Sequence, residues 1–277
     1  MYAEFIANFP PSGTTGVPGA KAEKIAIAEG GAAQFGVATR VFGPFLKGIV
    51  KNEPKAMDTW AAIGHYNKFL LSHPELYVGA SMTPDVLVLT SDEWPFTEEG
   101  GAGLLLDVLA KSSVPYEVCV LPRLSATSLK GRPVVLVAGI DKLSAGQLSL
   151  LESHKRAGGK VQFLRDTELV ANSEISTRLD QLLASRSVRL KTSGHVLATL
   201  TRIGNSGRFV AHVINHDAEP QTNVGVTLGL SVPTGKVRAY SPDTGGDRIT
   251  NVRVDGNHVS LTIPKLDTYL VVEVGAR

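Results

Sequence analysis

Residues that could carry out chemistry follow the apolar segments in the middle of the chain, where loops leave predicted parallel strands. In an open parallel sheet, ligands bind beyond the carboxyl ends of the strands. Those ends supply four carboxylates, two arginines and a tryptophan, namely Asp92, Glu93, Asp141, Asp166, Arg123, Arg165 and Trp94. Converging carboxylates could act as acid and base or hold a metal ion, while the arginines and the tryptophan could bind a ligand. The simpler interpretation is that loops are polar and that Trp94 packs on a neighbour.

Two further carboxylates, Asp243 and Asp247, flank the segment Thr-Gly-Gly near the end of the chain. Oxygen ligands on a flexible loop suit Ca²⁺, so both are weak calcium candidates, although the EF-hand pattern is absent. A glycine-rich hairpin accounts for the same residues more simply. No histidine spacing typical of a zinc site occurs. We therefore expect no cofactor and, apart from this weak calcium hypothesis, no metal.

Nucleophile candidates are few. Cys119 is the single cysteine and falls inside a predicted strand, where a buried thiol is usually an inert apolar filler with a raised pKa. The pair His216-Asp217 lies at a predicted turn, and Ser206 or Ser241 would complete a Ser/His/Asp site only if the three side chains converged. His212 alternates within a predicted strand, which favours ordinary packing or hydrogen bonding.

The composition is that of a folded, well-packed protein. Its 277 residues are enough for two ordinary domains, and 43% hydrophobic against 19% charged residues argues against disorder. The net charge of +2 includes no Lys/Arg-rich block, so neither a nucleic-acid nor a membrane partner is expected. One cysteine excludes an internal disulfide. The first residues lack a signal-peptide pattern and no apolar run approaches the roughly 20 residues of a membrane helix, so we expect a bacterial cytoplasmic location.

Three zones differ in their hydrophobic period. Residues 1–79 contain helical stretches but too few apolar segments to close a domain. One helix is predicted over 21–30, and a second runs from Pro54 to His73-Pro74, with Trp60, Ile63, Asn67 and Leu70 on one stripe. This zone therefore needs something to pack against.

Residues 80–186 alternate between strand and helix. Continuous apolar runs predict strands over 85–90, 116–121, 133–138 and 161–164, and Ser144 can cap the helix that ends at Gly158-Gly159. A further helix is predicted over 173–183. This alternation is typical of a doubly wound parallel sheet, so an α/β domain is expected here.

Residues 187–277 change to a period of two. Seven short strands separated by regular turn signals predict an antiparallel β-sandwich. The predicted strands are 195–202, 208–215, 223–230, 236–240, 249–254, 258–263 and 269–274.

The order of these zones resembles the C-terminal part of beta-galactosidase-type glycoside hydrolases. In this family a catalytic barrel is followed by a middle domain and a β-sandwich. Residues 7–10 with 26–31 resemble the end of the barrel, and 67–77 with 85–90 resemble the passage from the barrel to the middle domain. Residues 132–159 resemble the middle domain, and 207–215 and 266–269 resemble the sandwich. The resemblance implies a remnant of a (β/α)8 barrel over 1–79, a flavodoxin-like, glutamine-amidotransferase-like trimerisation domain over 80–186, and a β-sandwich over 187–277.

The resemblance also bears on activity. The family's catalytic carboxylates lie at the ends of barrel strands four and seven, and neither can be assigned to a position in this chain. At the turn where relatives of the middle domain carry a cysteine nucleophile, residues 138–141 read Ala-Gly-Ile-Asp. The resemblance therefore implies a hydrolase-related protein without glycosidase activity of its own.

Two functions remain as hypotheses, beside the possibility of a fragment with no evolved task. The first is an accessory or assembly module that binds either carbohydrate or a partner subunit. A carbohydrate would meet Trp94 or Trp60. We also expect a homo-oligomer, because the apolar helices of the first zone need cover. The alternative is a hydrolase of a small ester, lactone or amide that uses Asp92, Glu93, Asp141 or Asp166.

Overall fold

The chain divides into two compact units. The computed structural model describes residues 19–32, 43–91, 101–140, 142–164, 179, 181–183, 186–231 and 234–276. The sandwich unit consists of Met1–Met82 and Val188–Arg277, and the α/β unit consists of Thr83–Ser187. The α/β unit is thus inserted into the sequence of the sandwich unit. The segment 7–10 and most of the helix expected over 173–183 lie outside the described residues.

The first part of the sandwich unit is helical. Its helices are α1 (Gly19–Ala32), α2 (Gly43–Val50) and α3 (Pro54–Ser72), and a 3-10 turn (Pro74–Leu76) leads to the short strand β1 (Ala80–Met82). Helix α3 begins with Pro54 at its first position, where proline removes no needed N–H donor, and it stops before His73-Pro74. In the described residues, no helix combines the length and the apolar character needed to cross a membrane.

The α/β unit contains a four-stranded parallel sheet. The elements are β2 (Val86–Thr90), α4 (Gly101–Lys111), β3 (Tyr116–Val120), α5 (Ala126–Leu129), β4 (Val134–Ala138), α6 (Ala145–Arg156) and β5 (Lys160–Leu164), and the strand order is β3-β2-β4-β5. The central strands β2 and β4 are buried throughout. Leu105 and Leu109 of α4 pack on one face of the sheet, and Leu151 of α6 packs on the other. The prediction of a parallel sheet covered on both faces is confirmed.

A reciprocal cap fixes the start of α6. Ser144 Oγ accepts from the Gln147 N–H at 3.3 Å, and Gln147 Oε1 accepts from the Ser144 N–H at 2.8 Å. Both donors would otherwise lack an intrahelical partner.

We expect Ser144→Ala to lower the stability of the α/β unit by about 1 kcal/mol, because the Gln147 N–H loses its acceptor. Urea denaturation measures this change. Ser149→Ala, at an exposed position of the same helix, is the matched control and should leave stability within about 0.5 kcal/mol. Equal effects of the two variants would contradict the capping role.

Two antiparallel sheets form the rest of the sandwich unit. One has the order β1-β7-β8-β13-β10 and the other β11-β12-β9-β6. All seven predicted strands are present, and β6 and β1 are additional. The strands are β6 (Val188–Lys191), β7 (Val196–Ile203), β8 (Arg208–Asn215), β9 (Gln221–Gly229), β10 (Thr234–Tyr240), β11 (Thr250–Asp255), β12 (His258–Leu266) and β13 (Tyr269–Ala276). Alternate residues of both sheets form one apolar core, for example Leu200, Val213, Val226 and Leu261.

The five-stranded sheet has a second apolar face, which α1 and α3 cover. Ile27 of α1 and Phe69 of α3 share one buried cluster with Val210, Ile214 and Val271 of the sheet. The first zone therefore packs against the sandwich. The stripe predicted for α3 is wrong in part, because Thr59, Ile63, Tyr66 and Phe69 form the buried face and Trp60 is exposed. The assignment of residues 1–79 to a barrel remnant stays a prediction.

Candidate functional site

The predicted site at the carboxyl edge of the parallel sheet lies mostly outside the described residues. This holds for Asp92, Glu93, Trp94, Asp141, Arg165 and Asp166. Arg123 is described and ends the 3-10 turn Leu121–Arg123, directly after β3, where its side chain is exposed. The hypothesis of converging carboxylates at this edge stays a prediction.

Asp243 has a structural role. Its Oδ2 accepts from the Thr268 and Tyr269 N–H groups at 2.9 and 3.1 Å, and its Oδ1 accepts from Tyr66 Oη at 2.8 Å and lies 3.4 Å from Lys24 Nζ. Burial and the neighbouring Asp243 carboxylate raise the pKa of Tyr66, so this phenol stays protonated and donates. Both carboxylate oxygens of Asp243 are thus occupied by donors that join α1 and α3 to the start of β13.

The calcium hypothesis gains no support from these contacts. Asp243 is only 8% exposed, whereas Asp247 is exposed on the same loop. Across the described ranges, no group of three His, Cys, Asp or Glu side chains has the spacing to hold a metal ion. The Gly246 N–H donates to the Asp243 carbonyl at 2.9 Å, as in a tight turn.

The serines considered for a Ser/His/Asp site are engaged elsewhere. Ser206 Oγ donates to the Ile203 carbonyl and Ser241 Oγ donates to the Tyr269 carbonyl, each at 2.6 Å. Asp217 Oδ2 accepts from the His195 N–H at 2.8 Å and from Gln221 Nε2 at 2.7 Å. These bonds give the three residues roles in turns and strand ends rather than in a nucleophile site.

His216 is fully buried, and its Nε2 lies 3.4 Å from Glu29 Oε1. Burial lowers the pKa of His216 to about 4, and the adjacent His195 acts in the same direction. Surrounding protein atoms raise the pKa of Glu29, although 42% of its side chain stays exposed and solvent limits the shift. The contact is therefore a weak one between a neutral imidazole and a partly solvated carboxyl group.

The predictions for Cys119 and His212 are confirmed. Cys119 lies in β3 with its thiol buried, and burial raises the pKa of that thiol. His212 lies in β8, with Nδ1 2.7 Å from Tyr269 Oη and Nε2 3.4 Å from Thr201 Oγ1. Tyr269 Oη also lies 3.1 Å from Tyr77 Oη. Burial lowers the pKa of His212 to about 3, so this chain of polar groups contains a neutral imidazole.

A polar groove lies on the helix-covered face of the five-stranded sheet, beyond the helices. Strand β10 alternates Lys236, Arg238 and Tyr240 on this face with Val237 and Ala239 facing the sandwich core. The groove has a volume of about 440 Å³, within the range of small-ligand sites. Its lining residues are Glu75, Arg208, Lys236, Arg238, Tyr240, Glu273 and Gly275.

Glu273 organises the groove. Arg208 Nε donates to Glu273 Oε1 at 2.8 Å, and Tyr240 Oη donates to Glu273 Oε2 at 2.9 Å. Burial and this hydrogen bond to Glu273 raise the pKa of Tyr240, which keeps the phenol protonated. Arg238, directly opposite Glu273 in the sheet, is 3.8 Å away and half exposed. Arg208 thus largely neutralises the charge of Glu273. The exposed side chains of Arg238 and Lys236 can therefore donate hydrogen bonds toward solvent.

The sequence predictions missed this groove. Its signal was present in the alternation of Lys236, Arg238 and Tyr240 along one strand and in a glutamate inside the apolar strand 269–274. A charged residue in an otherwise apolar strand needs a partner, so Glu273 could have been matched with the arginines. What the sequence could not supply was the strand order, which places β10 and β8 on either side of β13.

The fold is shared with glycoside hydrolases. No known protein family and no curated protein matches the sequence. Among solved structures, alpha-L-fucosidase isoenzyme 2 from Paenibacillus thiaminolyticus is similar over 94% of this chain and 58% of that chain, with a TM-score of 0.70 and 12% identity. A rhamnosidase from Novosphingobium sp. PP1Y is similar over 80% of this chain and 25% of that chain, with a TM-score of 0.50 and 13% identity. This chain therefore spans little more than half of the first protein and a quarter of the second.

Proposed function

We propose that the chain is a carbohydrate-binding accessory module of glycoside-hydrolase type, with no glycosidase activity of its own. The groove beside Glu273 is the observation that carries this proposal. The fold shared with a fucosidase and a rhamnosidase supports a carbohydrate-related role, although fold similarity alone assigns no substrate.

The chemistry of the groove suits a sugar. Neighbouring hydroxyl groups need donors and acceptors side by side, and Arg238, Lys236 and the exposed Glu75 carboxylate provide both within one groove. Arg208 and Tyr240 hold the Glu273 carboxylate at the floor of the groove in place before any ligand binds. A preorganised polar site loses less conformational entropy when a ligand binds.

The charge of the groove favours an acidic sugar over a neutral one. The groove is lined by three cationic side chains, Arg208, Lys236 and Arg238, and by two carboxylates. Arg208 largely neutralises the Glu273 carboxylate, and the Glu75 carboxylate also contacts His73 at 3.1 Å. A carboxylate-bearing saccharide could form a charge-assisted, bidentate contact with Arg238.

We expect a uronic-acid oligosaccharide to bind the purified chain more tightly than its neutral counterpart, and we expect Arg238→Ala to weaken that binding at least about tenfold. Isothermal titration calorimetry with defined oligogalacturonides measures both effects. Higher salt should weaken binding, since the groove is open to solvent.

Arg253→Ala is the matched control, because Arg253 is an exposed arginine in the strand β11 of the other sheet. Its affinity should stay within about twofold of the unchanged chain. Equal losses in the two variants, or no saccharide binding at all, would refute the groove as a carbohydrate site.

The absence of glycosidase activity is proposed because the buried carboxylates of the sandwich unit, Asp243 and Glu273, are both engaged by protein donors. Aryl-glycoside turnover by the purified chain would contradict this part of the proposal. The ester, lactone or amide hydrolase hypothesis has no support among the described residues, since its four carboxylates lie outside them.

The finer resemblance belongs to the same proposal. The order β3-β2-β4-β5 corresponds to strands 2-1-3-4 of the α/β unit, as in flavodoxin-like sheets, and supports that classification. A relation to the trimerisation domain and sandwich of beta-galactosidase-type enzymes is consistent with this order and with the sandwich.

A further inference from the structure

His73 is a titratable side chain that contacts two residues of the groove. It directly follows α3, and its Nδ1 lies 3.1 Å from Glu75 Oε1. Its ring also contacts two aromatic rings, with centroid distances of 4.9 Å to Phe69 and 5.1 Å to Tyr240. Because these contacts hold the ring in place, a proton gained by His73 adds a positive charge beside the groove without rearranging it.

Glu75 carries the negative charge that an acidic ligand would meet in the groove. Its side chain is 45% exposed and lines the groove together with Lys236 and Arg238. Burial opposes its ionisation, but hydrogen bonds from its own N–H and from His73 outweigh this effect and lower the pKa of Glu75. The carboxylate is therefore charged at neutral and mildly acidic pH. Since an ionised carboxylate has no proton to give, the Nδ1–H of His73 is the donor.

The other groups that face His73 and Glu75 come from three strands. Arg208 of β8 and Arg238 of β10 are guanidinium groups, which stay charged at any pH that a folded protein tolerates. Tyr240 of β10 stays protonated, and Glu273 of β13 accepts from both Arg208 and Tyr240. Histidine is the one side-chain type in this set that normally changes charge between pH 5 and pH 8.

We propose that His73 is a proton-linked specificity residue of the groove, which binds an acidic saccharide more tightly when this histidine is protonated. The reason is electrostatic. The Glu75 carboxylate repels a ligand carboxylate that approaches Arg238, and a positive charge beside Glu75 offsets part of that repulsion. An anionic ligand in turn favours proton uptake by His73, so binding and protonation strengthen each other. This role rests on the proposed function, because it concerns the same groove.

Isothermal titration calorimetry with the trisaccharide of galacturonic acid tests this role, at pH 7.5 and pH 5.5 and at constant ionic strength. The ligand carboxylates are ionised at both pH values, as simple carboxylic acids are. We expect the affinity of the unchanged chain to be about threefold higher at pH 5.5. Titrations near pH 6.5 in buffers of different ionisation enthalpy should show uptake of about 0.3 proton for each trisaccharide bound.

His73→Gln is the test variant, because glutamine can still donate to Glu75 but gains no proton. Its affinity should differ by less than about 1.5-fold between the two pH values, without proton uptake. His258→Gln is the matched control and should keep the rise in affinity, since His258 is exposed in β12 of the other sheet. Glu75→Gln should bind at pH 7.5 about as tightly as the unchanged chain does at pH 5.5, because the repelling charge is gone and an acceptor oxygen remains.

The possible outcomes separate this role from the proposed function. Equal affinity of the unchanged chain at both pH values, or a pH dependence that His73→Gln retains, would overturn the role of His73 and leave the groove as a saccharide site. Weaker binding by Glu75→Gln at pH 7.5 would also overturn it, because Glu75 would then hold the ligand rather than repel it. If the trisaccharide bound at neither pH, the proposed function would be refuted together with this role.

Discussion

Asp243→Ala is expected to lower the stability of the sandwich unit by about 3–5 kcal/mol, because one buried carboxylate satisfies several donors at once. The variant leaves the Thr268 and Tyr269 N–H groups and the Tyr66 hydroxyl without their acceptor in a region closed to solvent. It also removes the charge that faces Lys24. Thermal unfolding followed by circular dichroism should show a midpoint lowered by on the order of 10 °C.

Asp247→Ala is the control within the same loop. Asp247 is exposed, so its removal should change stability by less than about 0.5 kcal/mol. The pair of variants also separates the structural role of Asp243 from the calcium hypothesis. If both aspartates held calcium, added Ca²⁺ would stabilise the unchanged chain but would not stabilise either variant. We expect Ca²⁺ to leave the stability of the unchanged chain and of both variants unaltered.

Mild acid is expected to destabilise the sandwich unit through His212. Burial lowers the pKa of His212 to about 3 in the folded chain, whereas an unfolded histidine titrates near 6.5. Below about pH 6.5, His212 binds a proton in the unfolded state but stays neutral in the folded state, so the free energy of unfolding falls as the pH is lowered. From pH 7.5 to pH 5 this histidine should account for a loss of about 2 kcal/mol.

The measurement compares urea denaturation at the two pH values for the unchanged chain and His212→Gln. The variant should lose about 2 kcal/mol less on acidification, even if it is less stable at every pH. His258→Gln is the control, since His258 is exposed at the start of β12, and it should keep the full loss. A slope unchanged by His212→Gln would mean that His212 accepts a proton in the folded chain.

The sequence predicted the elements well because their signals are local. Period-two alternation found seven strands of the sandwich, and continuous apolar runs found all four strands of the parallel sheet. Pro54 and His73-Pro74 bounded α3, and Ser144 marked the start of α6. Each of these signals depends on residues within one or two turns of each other.

The sequence predicted poorly wherever distant segments meet. The stripe chosen for α3 included Trp60, because apolar residues cover both sides of this helix and spacing alone does not tell which side faces the sheet. The role of Asp243 depends on Tyr66 and Lys24, which lie far away in sequence. The groove likewise depends on β8, β13 and β10 being neighbours, which only the strand order reveals.

The insertion of the α/β unit has a consequence for synthesis on the ribosome. All strands of the parallel sheet have been translated before β6 begins, so this unit can fold while the chain is still growing. Strand β1 and helices α1 and α3, by contrast, must wait for β7, β8 and β13, with the whole of residues 83–187 in between. During that interval Ile27, Phe69 and their neighbours lack the sheet that covers them, and exposed apolar surface of this kind makes an incompletely folded chain prone to aggregate.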